Sequence, residues 1–137
     1  MKAKFEKGHY GPYSHDLMHL LIYLNGHYIK FKSEETKPTT TVYLVEEKLP
    51  EVEAFCNAHL SSEQKERLDR ILELIEGFES PYGLELLATV DFIRTKSPSL
   101  TVSEIQEQIH SWTSRKRELM KPHHIQVAFD RLTQTFS

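Results

Sequence analysis

Four histidines lie close together in the first part of the sequence, and imidazole nitrogens are common metal ligands. They are His9, His15, His19 and His27. His15 and His19 are four residues apart, so a helix places both on one face. Zinc peptidases pair such histidines with a glutamate in H-E-x-x-H, but this segment reads H-D-L-M-H, and the sequence places no third ligand. We interpret these imidazoles as hydrogen-bonding groups on a contact surface and expect no bound metal.

Other catalytic arrangements lack their sequence signatures. The chain contains neither a G-x-S-x-G nucleophile elbow nor a Cys-His signature, and its single cysteine, Cys56, cannot form an internal disulfide. The five glycines are scattered, so no glycine-rich phosphate loop is present. We therefore expect no catalytic residue and no cofactor, and we predict that the protein is not an enzyme.

Acidic and aromatic residues alternate over a short stretch in the middle of the chain. It carries Glu73, Glu76, Phe78, Glu79, Tyr82 and Glu85. Residues 33–91 hold fourteen acids and five bases, whereas the segments on either side are each basic by three charges. Glu73 and Glu76 fall in the last turn of a predicted helix, where the helix dipole disfavours an anion by about 0.3 to 1 kcal/mol. An acidic face of this kind suits a basic protein partner.

The elements that must position these residues follow from apolar spacing and capping signals. One helix carries Tyr13, Leu17, Leu20, Leu21 and Leu24 on its inner face and stops at Asn25-Gly26. Further helices are predicted at about residues 49–59, 61–76, 81–95, 102–112 and 122–135. Residues 27–32 and 40–45 have strand-like patterns and predict a hairpin across a loop at 33–39.

Two of these helices have distinct burial patterns. The helix at 61–76 is predicted to turn Leu68, Ile71, Leu72 and Ile75 inward. The helix at 81–95 is apolar nearly all round, which predicts the central core helix. The basic run at 115–117 is predicted to lie in a connecting loop.

Length and composition set the class of protein. The chain has 137 residues, 27% of them charged, which is enough for one domain. No apolar run approaches the roughly 20 residues that span a bilayer, and no signal-peptide core is present. We predict a cytoplasmic α+β protein, mostly α, with a single domain of five or six helices and a small two-stranded hairpin.

Three motif clusters, in this order and spacing, carry a family resemblance. The first is G-H-Y-G-P-Y at residues 8–13 with G-H-Y-I at 26–29. The second is E-G-F-E-S-P-Y-G-L-E-L-L-A-T-V at 76–90, and the third is R-K-R at 115–117 with K-P-H-H-I at 121–125. Together they resemble the C-terminal domain of DarG, the antitoxin of the bacterial DarT/DarG system, over nearly the whole chain. The sequence departs from the family at Asn25, where an acid is common.

This resemblance implies a function. DarT ADP-ribosylates thymidine bases in single-stranded DNA; the DarG macrodomain removes the modification, and the DarG C-terminal domain binds and blocks the toxin. The resemblance therefore implies that residues 1–137 form a DarG C-terminal-like domain that lacks the macrodomain. The implied partners are the cognate DarT toxin and a fused or associated macrodomain, with no membrane and no direct binding to nucleic acid.

Two groups of residues are candidates for toxin binding. Glu73, Glu76, Phe78, Glu79, Tyr82 and Glu85 offer carboxylates and aromatic planes in place of phosphates and bases, which is the chemistry of a single-stranded-DNA mimic. The alternative for this group is a core role for the rings and a solubilising role for the acids. Tyr10, Tyr13, His15 and His19 form the second candidate surface, which contacts either the toxin or the rest of the domain.

Two other functions stay open at this point. The last three predicted helices, with Arg115, Lys116, Arg117 and Lys121 nearby, are compatible with a helix-turn-helix-like DNA-binding regulator. Against it, about nine residues join the last two helices, where a tight turn is expected. The second alternative is a metal-dependent enzyme that uses the N-terminal histidines.

Overall fold

The computed structural model describes residues 3–31 and 41–136, and these residues contain seven α-helices and two small sheets. The strands are β1 (Glu6–Gly8), β2 (Gly11–Tyr13), β3 (Ile29–Lys30) and β4 (Tyr43–Leu44). The helices are α1 (His15–Leu24), α2 (Leu49–His59), α3 (Ser62–Ile75), α4 (Pro81–Lys96), α5 (Val102–His110), α6 (Ser114–Leu119) and α7 (Pro122–Phe136), and a 3-10 turn (Glu46–Lys48) precedes α2. The predicted class, α+β and mostly α, is confirmed.

The contacts within the chain define two compact units. Among the described residues, the N-terminal unit comprises 3–6, 13–31 and 41–69, and the C-terminal unit comprises 7–12 and 70–136. The C-terminal unit is therefore assembled from two separate stretches of sequence. The first of them carries most of the G-H-Y-G-P-Y motif.

The C-terminal unit has a continuous apolar core around α4. This helix packs against α5 and α7, and α5 packs against α6 and α7. As predicted, α4 is the central helix, with buried side chains on several faces. The core consists of Leu74, Leu86, Leu87, Val90, Ile93, Ile105, Ile109, Met120, Ile125, Ala128 and Leu132.

Local capping signals place the helix starts where the sequence predicts them. The hydroxyl of Ser61 accepts from Gln64 N at 3.2 Å, and the Gln64 side chain accepts from Ser61 N at 2.9 Å. Thr101 and Glu104 form the same reciprocal capping box at α5. Ser80 caps α4 by accepting from the amide of Gly83 at 2.9 Å.

In the N-terminal unit, the predicted hairpin is present in a shorter form. Ile29 pairs with Leu44 and Lys30 with Tyr43 in an antiparallel register. The predicted strand ends next to the loop, Lys32 and Thr40, and the loop itself lie outside the described residues. The Asn25 side chain both donates to Phe31 O and accepts from Phe31 N, each at 3.0 Å, so it closes the turn as a strand partner does. A carboxylate at this position can accept but cannot donate.

Two predicted burial patterns are wrong. No residue of α1 is buried, and Leu17 and Leu20 of its predicted inner face are exposed. In α3 the buried residue is Leu74, whereas Leu68, Ile71 and Leu72 are exposed and Ile75 is half-buried. Apolar spacing located a stripe on each helix, but spacing does not show which neighbour, if any, covers it.

Gly83 sets the geometry of the turn before α4, and replacing it by alanine tests this constraint. A Cβ atom at Gly83 would lie 2.5 Å from the backbone oxygen of Phe78 and 2.9 Å from its carbonyl carbon. We expect Gly83→Ala to lower the free energy of unfolding by about 1 to 3 kcal/mol, as overpacking does, although alanine has the higher helix propensity. Urea denaturation measures the effect. The control is Leu84→Ala at the adjacent, exposed position, for which we expect less than about 1 kcal/mol. Equal stability of Gly83→Ala and the wild type would contradict a fixed contact with Phe78.

Candidate functional site

A charged cluster lies inside the C-terminal unit, between α4 and α6. Glu85 accepts two hydrogen bonds from the Arg115 guanidinium, at 2.6 and 3.1 Å, and one from Lys116 Nζ at 2.7 Å. Lys116 Nζ also donates to Thr89 Oγ1 at 3.3 Å. The Lys116 side chain is fully buried and that of Glu85 is 9% exposed. Glu85 and Thr89 are one helical turn apart on α4, so a single face of this helix receives both cations.

The ionisation of this cluster reflects both burial and pairing. Burial alone raises the pKa of the Glu85 carboxyl, but the hydrogen bonds and charges of Arg115 and Lys116 outweigh it and lower that pKa below its ordinary value. Burial lowers the pKa of the Lys116 ammonium, and the single shared carboxylate offsets this only in part. Glu85 therefore stays ionised at neutral pH, because one carboxylate serves two cations.

Residues 8–12, the part of G-H-Y-G-P-Y that belongs to the C-terminal unit, pack onto this cluster, and we call them the N-terminal motif. Trp112 Nε1 donates to Gly8 O at 2.9 Å, and the guanidinium of Arg115 lies 4.9 Å from the centre of the Tyr10 ring. Gly11 is buried with a φ of 131°, and a Cβ there would lie 3.4 Å from Thr89 Oγ1. The backbone conformation thus favours glycine at position 11, where other residues would be strained. The G-H-Y-G-P-Y sequence has a direct structural role in completing the C-terminal unit.

The acidic stretch forms an exposed turn between α3 and α4, which we call the acidic turn (residues 73–82). Its backbone is held by Arg131 of α7, whose Nη1 donates to the carbonyl oxygens of Glu73, Leu74 and Glu76 at 3.3, 3.1 and 2.8 Å. Arg131 therefore supplies the positive charge that the C-terminus of α3 favours, and this compensates for acids at a helix end. The same guanidinium lies 5.3 Å from the centre of the Phe78 ring.

The side chains of the acidic turn divide into exposed acids and half-buried rings. Glu73, Glu76 and Glu79 are exposed, and Glu79 Oε2 accepts from Gly77 N at 2.9 Å, which fixes its position. Phe78 and Tyr82 are half-buried and pack against the core. The Tyr82 hydroxyl donates to Leu119 O at 3.1 Å and lies 2.8 Å from His124 Nδ1. Burial, followed by the charge of Glu85, raises the Tyr82 pKa.

The second predicted group of site residues is divided between the units. Tyr10 belongs to the C-terminal unit, whereas Tyr13, His15 and His19 belong to the N-terminal unit. His15 Nε2 lies 3.3 Å from Glu6 Oε1, and its ring contacts Tyr13 edge to face at 4.8 Å between ring centroids. His19 is exposed. Among residues 3–31 and 41–136, no three His, Cys, Asp or Glu side chains form a group suited to a metal ion.

Three of the four basic residues that suggested DNA binding, Arg115, Lys116 and Arg117, make contacts within the C-terminal unit. They do not lie in a loop as predicted, because Ser114–Leu119 forms α6, with the Thr113 hydroxyl accepting from Lys116 N as its N-cap. Lys116 and Arg115 bind Glu85, and Arg117 Nε donates to His110 O at 3.0 Å. The structure does not favour the DNA-binding alternative. The N-cap threonine was the sequence signal for α6, and the charge run obscured it.

Comparison with known proteins relates the chain to one named class. No family model matches the chain. It is 33% identical over 132 residues to a protein from Thermus aquaticus named DNA ADP-ribosyl glycohydrolase, a match that covers 96% of this chain and 36% of the relative. Proteins of the same name from Mycobacterium bovis and Mycobacterium tuberculosis are each 29% identical over 135 residues. The chain is therefore related to DarG-type proteins.

These matches also correct one prediction. The prediction that the protein is not an enzyme is wrong, because all three relatives carry the name of an enzyme, a glycohydrolase. The chain spans little more than a third of the length of the curated relatives that it matches. No helix among the described residues is long and apolar enough to cross a membrane.

The buried cluster makes the stability of the C-terminal unit sensitive to acid. Because the pKa of Glu85 in the folded state lies below the ordinary value of 4.5, its stabilisation is complete above about pH 4.5 and is lost as the pH falls through the folded-state pKa. At pH 7, Glu85→Gln leaves Lys116 buried without a carboxylate, and we expect it to cost roughly 3 kcal/mol. Denaturant titrations between pH 3 and 7 measure the effect.

The matched control for this variant is Glu107→Gln, which removes an exposed carboxylate from α5. It should retain the stability of the wild type within about 0.5 kcal/mol and keep the same acid dependence. The difference between Glu85→Gln and the wild type should shrink as Glu85 becomes protonated in acid. A difference that stays constant down to pH 3 would show that charge pairing is not the source of the effect.

Proposed function

We propose that this protein is a component of a DarT/DarG system and that the chain binds and inhibits the DarT toxin by occupying its single-stranded-DNA-binding surface. The enzymatic name of the relatives supports a wider role for the whole protein, in which removal of ADP-ribose from DNA accompanies toxin binding. Residues 1–137 then correspond to the DarG C-terminal domain, and a macrodomain is the associated partner. The proposed site of action is the cytoplasm, where the toxin meets DNA.

The acidic turn is the observation that carries this proposal. Glu73, Glu76 and Glu79 present three exposed carboxylates over seven residues, on a backbone that Arg131 holds in place. A DNA-binding enzyme offers cations to phosphates and flat surfaces to bases, and a row of exposed carboxylates beside an aromatic ring, carried on a fixed backbone, reproduces both features. Because the turn is already fixed, binding costs little conformational entropy.

Glu85 has a different part in this proposal. Its carboxylate is bound by Arg115 and Lys116, so it has no free charge to offer a partner. It instead holds α6 against α4, next to the N-terminal motif. Phe78 and Tyr82 keep only part of each ring accessible, because the remainder packs against the core. The proposed contact therefore rests mainly on the three exposed acids and the exposed edges of these rings.

Reversing two charges of the acidic turn tests the proposal. We expect Glu76→Lys with Glu79→Lys to weaken binding to a catalytically inactive DarT by about tenfold or more per charge, and to make binding less sensitive to salt. A binding titration over a range of salt concentrations, with and without a thymidine-containing single-stranded oligonucleotide as competitor, measures both effects. Glu107→Lys, an acid outside the turn, serves as the control and should bind as the wild type does. Tight binding that the oligonucleotide does not displace would refute mimicry but not inhibition.

The N-terminal histidines give a second test of toxin contact. We expect His15→Ala with His19→Ala to weaken binding to the toxin and to leave the melting temperature unchanged, because both imidazoles are exposed. The His15–Glu6 pair is largely exposed and adds little to stability. Differential scanning calorimetry and the same titration measure the two quantities. A lower melting temperature with unchanged affinity would assign these residues a structural role.

A further inference from the structure

The N-terminal unit is built from regular elements that bury no apolar side chain among its described residues. Ser14, a helix cap, is the one buried residue in residues 3–6, 13–31 and 41–69. A two-stranded hairpin and helices of about ten residues are marginal in water unless apolar surface is buried against something. The described residues of this unit therefore leave much of the apolar surface of these elements without the cover that they require.

The apolar side chains that need this cover are concentrated on α2 and β4. Leu49, Val52 and Phe55 recur every three residues and lie along one face of α2, and 60% of Phe55 is exposed. Tyr43 and Leu44 point to opposite faces of the hairpin, and both are more than 60% exposed. We call Leu49, Val52 and Phe55 on α2 the apolar face. An exposed group of large apolar side chains with a polar rim is typical of a protein-binding site.

The part of the sequence that carries the apolar face is acidic. Between residues 41 and 69 the chain carries seven acids and three bases. On the helical wheel of α2, Glu51 and Glu53 lie on either side of the stripe formed by Leu49, Val52 and Phe55. Within the described part of the chain, Glu46, Glu47, Glu53, Glu66 and Asp69 form no ion pair. A partner therefore meets an apolar strip flanked on one side by Glu53 and on the other by Glu51, which pairs with Lys48 at 3.5 Å, in a segment with an excess of acids.

The excess of acidic residues near the apolar face determines which kind of partner can bind there. A second copy of the chain would bring the same excess of acids against this one, and like charges at an interface are destabilising. Nucleic acid and anionic membranes are disfavoured for the same reason. A protein with an apolar groove and a basic rim satisfies both the apolar face and its charges.

We propose that the apolar face docks into such a groove and that the N-terminal unit gains its stability from this contact. The inference rests on the proposed function, because it identifies the basic partner with the DarT toxin. It adds a contact that the acidic turn does not provide: carboxylates that imitate phosphates give charge complementarity, whereas the apolar face supplies buried area. The chain then binds through two chemically different surfaces, one in each unit.

Substitutions in the apolar face, made in the full chain, test the inference. We expect Val52→Ser with Phe55→Ser to weaken binding to a catalytically inactive DarT by roughly thirtyfold or more, as loss of a central apolar contact does. The matched control is Val127→Ser with Phe136→Ser, which changes the same residue types at exposed positions of α7 in the C-terminal unit. This control should bind as the wild type does. Thermal unfolding verifies that both variants keep a folded C-terminal unit.

Amide hydrogen exchange provides the second readout. In the free chain we expect faster exchange over residues 41–69 than over residues 81–136, and the toxin should slow the former by about tenfold or more. Wild-type affinity of the Val52→Ser, Phe55→Ser variant, or exchange over 41–69 that is already slow in the free monomer, would overturn the inference. So would a dimer of the free chain that this variant dissociates, since the second copy would then be the occupant.

The outcomes separate this inference from the proposed function. If the wild-type chain does not bind the toxin, both the proposed function and this inference are refuted. If the wild type binds and the acidic-turn variant is weakened while the Val52→Ser, Phe55→Ser variant is not, only this inference fails.

Discussion

The bond between the Glu85 carboxylate and its two cations is the interaction on which the C-terminal unit depends. It joins α4 to α6, and the N-terminal motif packs on top of it through Gly11 and Tyr10. A fully buried ammonium is costly unless a carboxylate and a further acceptor satisfy it, and Glu85 with Thr89 meet that requirement. Of the residues predicted to contact a partner, Glu85 is thus the one whose side chain makes the strongest contacts within the fold.

Local signals in the sequence predicted much of the fold. The capping pairs Ser61 with Gln64 and Thr101 with Glu104 form as their spacing indicates, because a cap involves only residues three apart. The central position of α4 also follows from its all-round apolar pattern. The inner face of α3 could not be predicted in this way, because its exposed stripe is more regular than the single buried contact made by Leu74.

The candidate site was less predictable than the fold, because its essential contacts are distant in sequence. Arg131 binds the carbonyls of the acidic turn from 55 to 58 residues away, and Arg115 and Lys116 reach Glu85 from 30 and 31 residues away. Spacing correctly identified an unusual concentration of acids. It did not show that Glu85 is neutralised internally, whereas Glu73, Glu76 and Glu79 remain exposed.

The discontinuous make-up of the C-terminal unit imposes an order on its synthesis. Gly8 and Trp112, which share a hydrogen bond, are separated by 104 residues, so the N-terminal motif leaves the ribosome long before its partners exist. At roughly 5 to 20 residues per second, this delay is on the order of 5 to 20 s. Once α4 is made, Glu85 still waits for Arg115 and Lys116, which follow 30 and 31 residues later, and until then the nascent C-terminal unit cannot close. The charged cluster can form once α6 is translated, and translation of α7, which carries Ile125, Ala128 and Leu132, sets the earliest moment at which the C-terminal unit acquires its native core.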